Sequence, residues 1–169
     1  VVDQLATTAS NSQSGLGVLG GSRRVTLTYV TSPVGGGDVR ASALNVLPNH
    51  YLRLSSDIGE QGTLLLEYGF ASPLNTDLTE GGASSGVDLR FLLADLGSVV
   101  KMTVTTNAGS PSQATVTVTK TIGSSPGDVI FGFTEFSGLD FTDVDSLSLE
   151  LDGNPSGDYR LAGIRTIPE

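Results

Sequence analysis

The chain has 169 residues, no cysteine and a single histidine, His50, so disulfides, thiolate zinc sites and a cysteine nucleophile are excluded. Its 18 acidic and 9 basic residues give a formal net charge of −9, which repels phosphate backbones and argues against nucleic acid as a partner. No apolar run reaches the roughly 20 residues that cross a bilayer, and the length predicts one domain spanning residues 1–169.

The N-terminal segment of the chain is polar, and the segment after it alternates between apolar and polar residues. Residues 1–15 contain little apolar surface, so this segment is predicted either to pair as an edge strand or to be frayed. In "RVTLTYV", residues 24–30, apolar and polar side chains alternate, the period of two that marks a strand with one buried face. The same period, bounded by turn residues, recurs at 38–46, 50–56, 62–70, 99–107, 113–121, 127–133, 145–153 and 158–166.

Two segments in the middle of the chain allow a more specific prediction. Residues 99–107 and 113–121 flank the turn "NAGSPS" and are predicted to form a hairpin whose threonines face outward. In "GVDLRFLLADLG", residues 86–97, Leu89, Phe91 and Leu93 alternate, but helical spacing ending at Gly97 is also present. We favour a strand there.

Nine or ten short strands with polar turns predict an all-β fold, an antiparallel β-sandwich of jelly-roll type. Only 16% of the residues are charged and 22 are glycine, a composition typical of exported β proteins rather than of helix-rich cytosolic enzymes.

Catalytic patterns are sparse. His50 stands alone at the start of a strand without a G-x-S-x-G nucleophile, so it is interpreted as a loop histidine. Glu150 and Asp152 alternate onto one strand face, as paired glycosidase acids would, but no third acid follows. We therefore predict no catalytic residue and no enzyme. A jelly-roll enzyme that cleaves polysaccharide through these residues is the alternative.

Two acidic segments resemble partial calcium loops. Asp152, Asn154, Ser156 and Gly157 match the first half of an EF-type loop, but its final acid is absent, and 140–145 lacks the central glycine. Turn formation and capping explain both segments without metal. We predict no metal and no cofactor, and we leave open whether Asp152, Asn154 and Asp158, or Asp140, Asp143 and Asp145, bind calcium.

Sugar binding requires an exposed ring with polar neighbours. Alternation places Tyr29 and Tyr68 on apolar strand faces, whereas Tyr51 points away from the leucines of its strand and lies beside Arg53. Tyr51 and Arg53 are therefore the predicted ligand-binding residues. Arg23 and Arg24 are adjacent, so they face opposite sides of their strand and are interpreted as a solvated edge.

Three segments resemble the extracellular part of bacterial PEP-CTERM sorting-domain proteins, the substrates of exosortases. These are "GLGVLGGSRRVTLTYV", "VDLRFLLADLGSVVKMTVTTNAG" and "FTEFSGLDFTDVDSLSLELDGNPSGDYRLAGIRTIPE". The chain stops at Pro168-Glu169, where the family's Pro-Glu-Pro anchor begins. The resemblance implies that residues 165–169 are the start of a C-terminal anchor that is missing beyond Glu169.

The resemblance further implies a bacterial protein that is secreted or displayed at the cell surface, without a shared catalytic residue. Its expected partners are exopolysaccharide or other envelope proteins, and the full-length form would be anchored to the membrane. We therefore expect a non-catalytic surface or biofilm-matrix protein that binds polysaccharide or associates with itself. The alternatives are the polysaccharide-cleaving enzyme and a jelly-roll shell protein.

Overall fold

The computed structural model describes residues 2–4, 8–14, 18–31, 37–46, 49–124 and 126–168. These residues form twelve strands and two short 3₁₀ turns. The strands are β1 (Val2–Gln4), β2 (Thr8–Ser14), β3 (Ser22–Thr31), β4 (Val39–Val46), β5 (Asn49–Ser56), β6 (Gln61–Tyr68), β7 (Ser84–Ala94), β8 (Ser98–Thr106), β9 (Ala114–Ile122), β10 (Gly127–Gly132), β11 (Val144–Asp152) and β12 (Asp158–Pro168), and the 3₁₀ turns are Leu19–Gly21 and Phe133–Glu135.

The strands form two six-stranded sheets. Sheet A has the order β1-β4-β5-β12-β7-β10, and sheet B has the order β2-β3-β6-β11-β8-β9. All of the strand pairs are antiparallel. The chain crosses repeatedly between the sheets, so the predicted antiparallel sandwich of jelly-roll type is confirmed.

The core lies between the two sheets and is built by the period of two. On β11, Leu147, Leu149 and Leu151 are buried while the residues between them are partly exposed. On β5, the same alternation buries Leu52 and Leu54. Each fully buried leucine contributes roughly 1.5–3 kcal/mol, which is why the alternating runs of the sequence become the inner faces of the sheets.

The predicted hairpin with outward threonines is confirmed. β8 and β9 pair antiparallel around the predicted turn. Thr103 and Thr117 share a hydrogen bond of 2.7 Å, and Thr105 and Thr115 share one of 2.9 Å. Because β9 is the last strand of sheet B, this threonine ladder lies along an edge of the sandwich.

The strand count of nine or ten was too low, because the N-terminal segment contributes two strands. Of the two alternatives for this segment, edge pairing is correct for its described residues: β1 pairs with β4 at the edge of sheet A, and β2 pairs with β3 at the edge of sheet B. Polar residues suffice here because an edge strand is stabilised mainly by its backbone hydrogen bonds. The first residue of the chain and residues 5–7 and 15–17 lie outside the described residues.

The segment 86–97 is a strand up to Ala94, as favoured, but its predicted alternation is wrong at one position. Leu89 and Phe91 are buried, whereas Leu93 is only partly buried and Ala94 takes the inner position. The cause is a shift in register: β12 pairs Leu161 with Phe91 but Arg160 with Leu93. The extra residue of this β-bulge changes which side chains face the core.

A cluster of phenylalanines anchors the connection between β10 and β11. The rings of Phe133 and Phe141 stack with centroids 4.2 Å apart, and Phe136 meets Phe141 edge to face at 5.5 Å. Phe136 and Phe141 are buried.

Within the described part of the chain, no helix has the length and hydropathy that crossing a membrane requires.

Candidate functional site

The two residues that the sequence singled out for ligand binding lie side by side on sheet A. Leu52 and Leu54 of β5 point into the core, so Tyr51 and Arg53 point to the outer side of the sheet, where both remain partly exposed. β5 lies inside the sheet between β4 and β12. The pair therefore sits on a broad sheet surface and not in a terminal loop.

β12 adds a residue that sequence reasoning missed. Arg160 lies directly across from Arg53 in the antiparallel pair, and its guanidinium carbon is 5.4 Å from the centre of the Tyr51 ring. This is the geometry of a cation–π contact, worth roughly 0.5–1 kcal/mol at an exposed site. The alternation of β12 indicated an outward arginine, but no local pattern specified β5 as its neighbour.

Arg53 and Arg160 form a pair of like charges, which is unfavourable when the two residues are directly opposite on neighbouring strands. The Nη2 atom of Arg53 donates to Asp158 at 3.2 Å and to the Ser55 hydroxyl at 3.1 Å, which offsets one of the two charges. The Nε atoms of both arginines are buried and have no hydrogen-bond partner. The fold thus holds two guanidinium groups together without satisfying them fully.

Two further arginines extend this surface across β7 and β12. Arg165 lies opposite Asp88 and bonds its carboxylate at 2.7 Å, with Asp128 of β10 at 3.9 Å. Arg90 lies opposite both Gly163 and Asp128 and is exposed. We call the outer side of β5, β12, β7 and β10 the arginine face; it comprises Tyr51, Arg53, Arg90, Arg160, Gly163 and Arg165.

The arginine face differs in charge from the rest of the molecule. It holds four of the chain's seven arginines. Asp88, Asp128 and Asp158 lie on the same side of the sheet, so four positive and three negative charges give this surface +1. Since the whole chain carries −9, the residues outside the face carry −10. An anionic group approaching this face therefore meets a locally positive surface on a protein of net negative charge.

Gly163 leaves a patch of backbone without a side chain in the middle of the arginine face, which we call the open floor. It faces the same side as Arg90, its partner across the strand pair, and a Cβ added there would meet nothing within 4 Å. The backbone of a central strand is therefore exposed between Arg160 and Arg165. From the rise of about 3.3 Å per residue, these two arginines are roughly 16 Å apart along β12, a length suited to an extended ligand.

Glu150 and Asp152, the residues of the enzyme alternative, lie on the other layer of the sandwich. They share the outer face of β11, as predicted, and Lys101 bridges them with Nζ distances of 2.6 Å and 3.0 Å. These hydrogen bonds raise the pKa of Lys101 above its ordinary value. Thr63 also donates to Asp152 at 3.1 Å. Both carboxylates thus share the ammonium group of Lys101 in an ion-pair network, whereas a glycosidase needs one acid placed to donate a proton to the leaving group.

The backbone of His50 lies in β5, but its side chain is outside the described residues.

The residues left open for calcium have other partners. Asp152 binds Lys101, the Asn154 side chain donates to the Gly97 carbonyl, and Asp158 binds Arg53. Among the described residues, no three histidine, cysteine or acidic side chains are grouped so that they could hold a metal ion.

The second acidic segment is a set of turns. Asp140 accepts hydrogen bonds from the Thr142 amide and hydroxyl at 2.9 Å and 2.6 Å. These bonds lower the pKa of Asp140. Buried Asp145 accepts a bond from the Ala108 amide at 2.6 Å. Turn formation therefore accounts for Asp140, as predicted, and Asp145 holds the β8–β9 turn against β11.

The two adjacent arginines of β3 are partly exposed, and each one hydrogen-bonds to a polar side chain. Arg24 makes two hydrogen bonds to Glu67, at 2.6 Å and 2.7 Å, while Arg23 donates to the Gln13 side chain at 2.7 Å. Each of the two guanidinium groups thus has a polar partner on its own sheet.

The tyrosines assigned to apolar strand faces lie as the alternation indicated. Tyr68 is buried in the core, and Tyr29 is partly buried with its hydroxyl bonded to Glu60. The prediction that Tyr29 and Tyr68 face inward is confirmed.

Several solved structures are similar to this chain at low sequence identity. They include a family 11 carbohydrate-binding module from Clostridium thermocellum in complex with a β-1,3-1,4-mixed-linked tetrasaccharide (TM-score 0.48, 15% identity, 98% of this chain and 91% of that chain). A family 30 carbohydrate-binding module of a cellulosomal cellulase of the same organism has a TM-score of 0.45 at 14% identity, covering 100% and 99%. The enzymatically active domain of a bacteriophage CBA120 tailspike protein has a TM-score of 0.41 at 8% identity, covering 97% of this chain and 20% of that chain.

No family model matches the sequence, and no curated protein matches it significantly.

Proposed function

We propose that this chain is a non-catalytic polysaccharide-binding module and that its ligand lies along the arginine face. The proposal depends on one observation: Tyr51, Arg53 and Arg160 lie next to one another beside the open floor at Gly163. An aromatic ring offers a flat apolar surface for a sugar ring, and guanidinium groups donate hydrogen bonds to its hydroxyls. The strand-long extent of the face favours a chain of sugars over a single one.

The non-catalytic part of the proposal is supported by the placement of the candidate acids. Glu150 and Asp152 lie on the outer side of sheet B, whereas Tyr51 lies on the outer side of sheet A. Within the arginine face, Asp158 is paired with Arg53 and Asp88 with Arg165. Paired carboxylates free to act as acid and nucleophile are therefore not found among the described residues of this face.

The cellular setting is proposed from the sequence. The resemblance to PEP-CTERM proteins, together with the low charged fraction and the high glycine content, supports an exported protein of the cell surface or biofilm matrix. Its partners there would be exopolysaccharide and other envelope proteins.

Binding to a panel of neutral and acidic polysaccharides tests the function directly. Affinity electrophoresis or calorimetry should show saturable binding to at least one polymer. Tyr51→Ala should weaken that binding about tenfold, which corresponds to about 1.4 kcal/mol, because it removes the ring. Gly163→Val should weaken it as well by filling the open floor, and a Cβ added at this position meets nothing within 4 Å in the folded protein.

Two controls separate the face from the fold and from catalysis. Thr119→Ala alters an exposed side chain of β9 on sheet B and should leave binding unchanged. Glu150→Gln should change neither binding nor the yield of reducing ends. Release of reducing ends by the wild type that is lost in Glu150→Gln would contradict the non-catalytic proposal, and no binding to any polymer would overturn the function.

A further inference from the structure

Two of the four arginines of the arginine face lack an ion pair, whereas among the described basic residues elsewhere only Arg23 does, and it has the neutral Gln13 as its partner. Among the described residues, Arg90 and Arg160 form no ion pair. On the other layer, Lys101 binds two carboxylates and Arg24 binds Glu67 through two hydrogen bonds. Since acidic residues outnumber basic ones two to one in this chain, a shortage of acids does not explain the difference.

Arg160 is the arginine whose charge is least compensated by its surroundings. It faces the like charge of Arg53 across the strand pair, its nearest described aromatic contact is the Tyr51 ring, and its Nε atom is buried without an acceptor. A neutral sugar placed on Tyr51 would remove more water from this guanidinium without supplying a charge. Burying a charged group without a counter-charge is costly, whereas a carboxylate would satisfy it with charge-assisted hydrogen bonds.

We propose that the polysaccharide bound by the arginine face is acidic, a polymer whose sugars bear carboxylates, as uronic acids do. This inference rests on the proposed function. Arg160 receives one carboxylate next to the sugar ring on Tyr51, and Arg90 receives a second one beyond the open floor at Gly163. Arg53 and Arg165 are already paired with Asp158 and Asp88, so they contribute neutral hydrogen bonding and not net charge.

The net charge of −9 does not prevent such binding at physiological ionic strength. The Debye length there is about 8 Å, so exposed charges at greater distances are largely screened. A polymer lying on the arginine face is therefore governed by the local positive charge and by the two unpaired guanidinium groups. The acidic remainder of the surface would discourage the same polymer from binding elsewhere, which makes the interaction specific to one face.

Polygalacturonate and the neutral polymer obtained by reducing its carboxyl groups provide a matched pair of probes. The wild type should bind polygalacturonate at least about tenfold more tightly than the reduced polymer, and added NaCl should weaken the binding of the acidic polymer only. Arg160→Gln and Arg90→Gln should each remove several-fold of this preference. Arg23→Gln, which deletes the same charge from β3 on the other sheet, should have no effect.

Folding can be monitored separately by thermal unfolding. Arg160→Gln should melt close to the wild-type temperature, because the loss of the cation–π contact with Tyr51 is offset by the removal of one member of a like-charged pair. Arg90 is exposed, so Arg90→Gln should also melt close to the wild type, and the binding of both variants can be compared with it. Equal binding of both polymers, with no effect of Arg160→Gln, would overturn the acidic ligand and leave polysaccharide binding in place. In another outcome, the wild type binds neither probe but binds an unrelated neutral polymer, and Tyr51→Ala weakens that binding. This result would likewise overturn the acidic ligand and leave polysaccharide binding in place. Failure to bind any polysaccharide would overturn the proposed function itself.

Discussion

Single residues on the arginine face acquire their character from neighbours that are remote in sequence. Arg53 and its partner Asp158 are 105 positions apart, yet they are adjacent on paired strands. Tyr51 is likewise an ordinary outward tyrosine until β12 brings Arg160 against its ring. A partly exposed tyrosine alone needs no functional explanation, whereas one that contacts an unpaired guanidinium beside an open backbone surface is a reasonable binding residue.

Asp140 allows a test of pH dependence at the residue scale. Its folded pKa is lowered by the bonds from Thr142, so its stabilising contribution is present above the unfolded pKa of about 4 and is lost as the pH falls through the folded value. Asp140→Asn removes the charge from these bonds. The melting temperature of the variant should lie below that of the wild type at about pH 6, and the difference should shrink as the pH falls below about 4.

Asp143→Asn is the control for that experiment, because it removes an equal charge from the same exposed segment without touching the bonds to Thr142. A difference between wild type and Asp140→Asn that stays constant from about pH 6 to about pH 2 would show that the ionised form of Asp140 contributes nothing.

At the scale of elements, β9 is the strand that most needs protection from pairing with the strands of other chains. It forms an edge of sheet B, and its side chains alternate between threonine and apolar residues with Lys120 as its one charge. Lys120 binds Glu135 at 2.6 Å and lies 5.6 Å from the centre of the Phe131 ring. A long alternating edge without charge is a template for pairing with other chains, and a lysine is a common means of preventing it.

Lys120→Thr should therefore make the protein prone to aggregation. Light scattering and thioflavin T fluorescence at about 37 °C should rise earlier than for the wild type. Lys120→Arg keeps the charge and should behave as the wild type. Adding Thr119→Lys to Lys120→Thr restores a charge to the edge without the bond to Glu135, so it should recover solubility if the charge, and not the ion pair, protects the edge. No change in Lys120→Thr would contradict this role.

At the scale of the whole molecule, the two outer surfaces of the sandwich have different chemistry. Sheet A presents the arginine face, while sheet B presents threonines and paired charges. The bulge of β7 and the open position at Gly163 both lie where β12 meets β7. The irregular pairing of these central strands thus shapes the surface on which the ligand is proposed to lie.

The net charge predicts the behaviour of many copies in solution. A charge of −9 on 17.4 kDa favours repulsion between copies, so size-exclusion chromatography with light scattering at about pH 7 should give the mass of a monomer. The same measurement in about 0.5 M NaCl, where this repulsion is screened, is the control. A large closed assembly under either condition would favour the shell protein that the sequence left as an alternative.

The sequence predicted the elements of this fold more reliably than their arrangement. The alternation of Leu147, Leu149 and Leu151 identified β11 and its buried face, and the same reasoning placed Tyr51 and Arg53 together on an outward surface. It left open whether the N-terminal segment pairs as an edge strand or is frayed, because the polar residues there show no apolar alternation, and it misplaced Leu93, because a bulge depends on the partner strand.

Only part of the candidate site was therefore accessible from the sequence. The period of two is a local property of extended backbone, so it can be read from consecutive residues and assigns each side chain to a face. The choice of partner strand is not local, because it depends on which apolar faces from distant segments pack into one core. Tertiary structure alone decided that β12 lies between β5 and β7, and so that Arg160, Arg90 and the open floor at Gly163 join Tyr51 and Arg53.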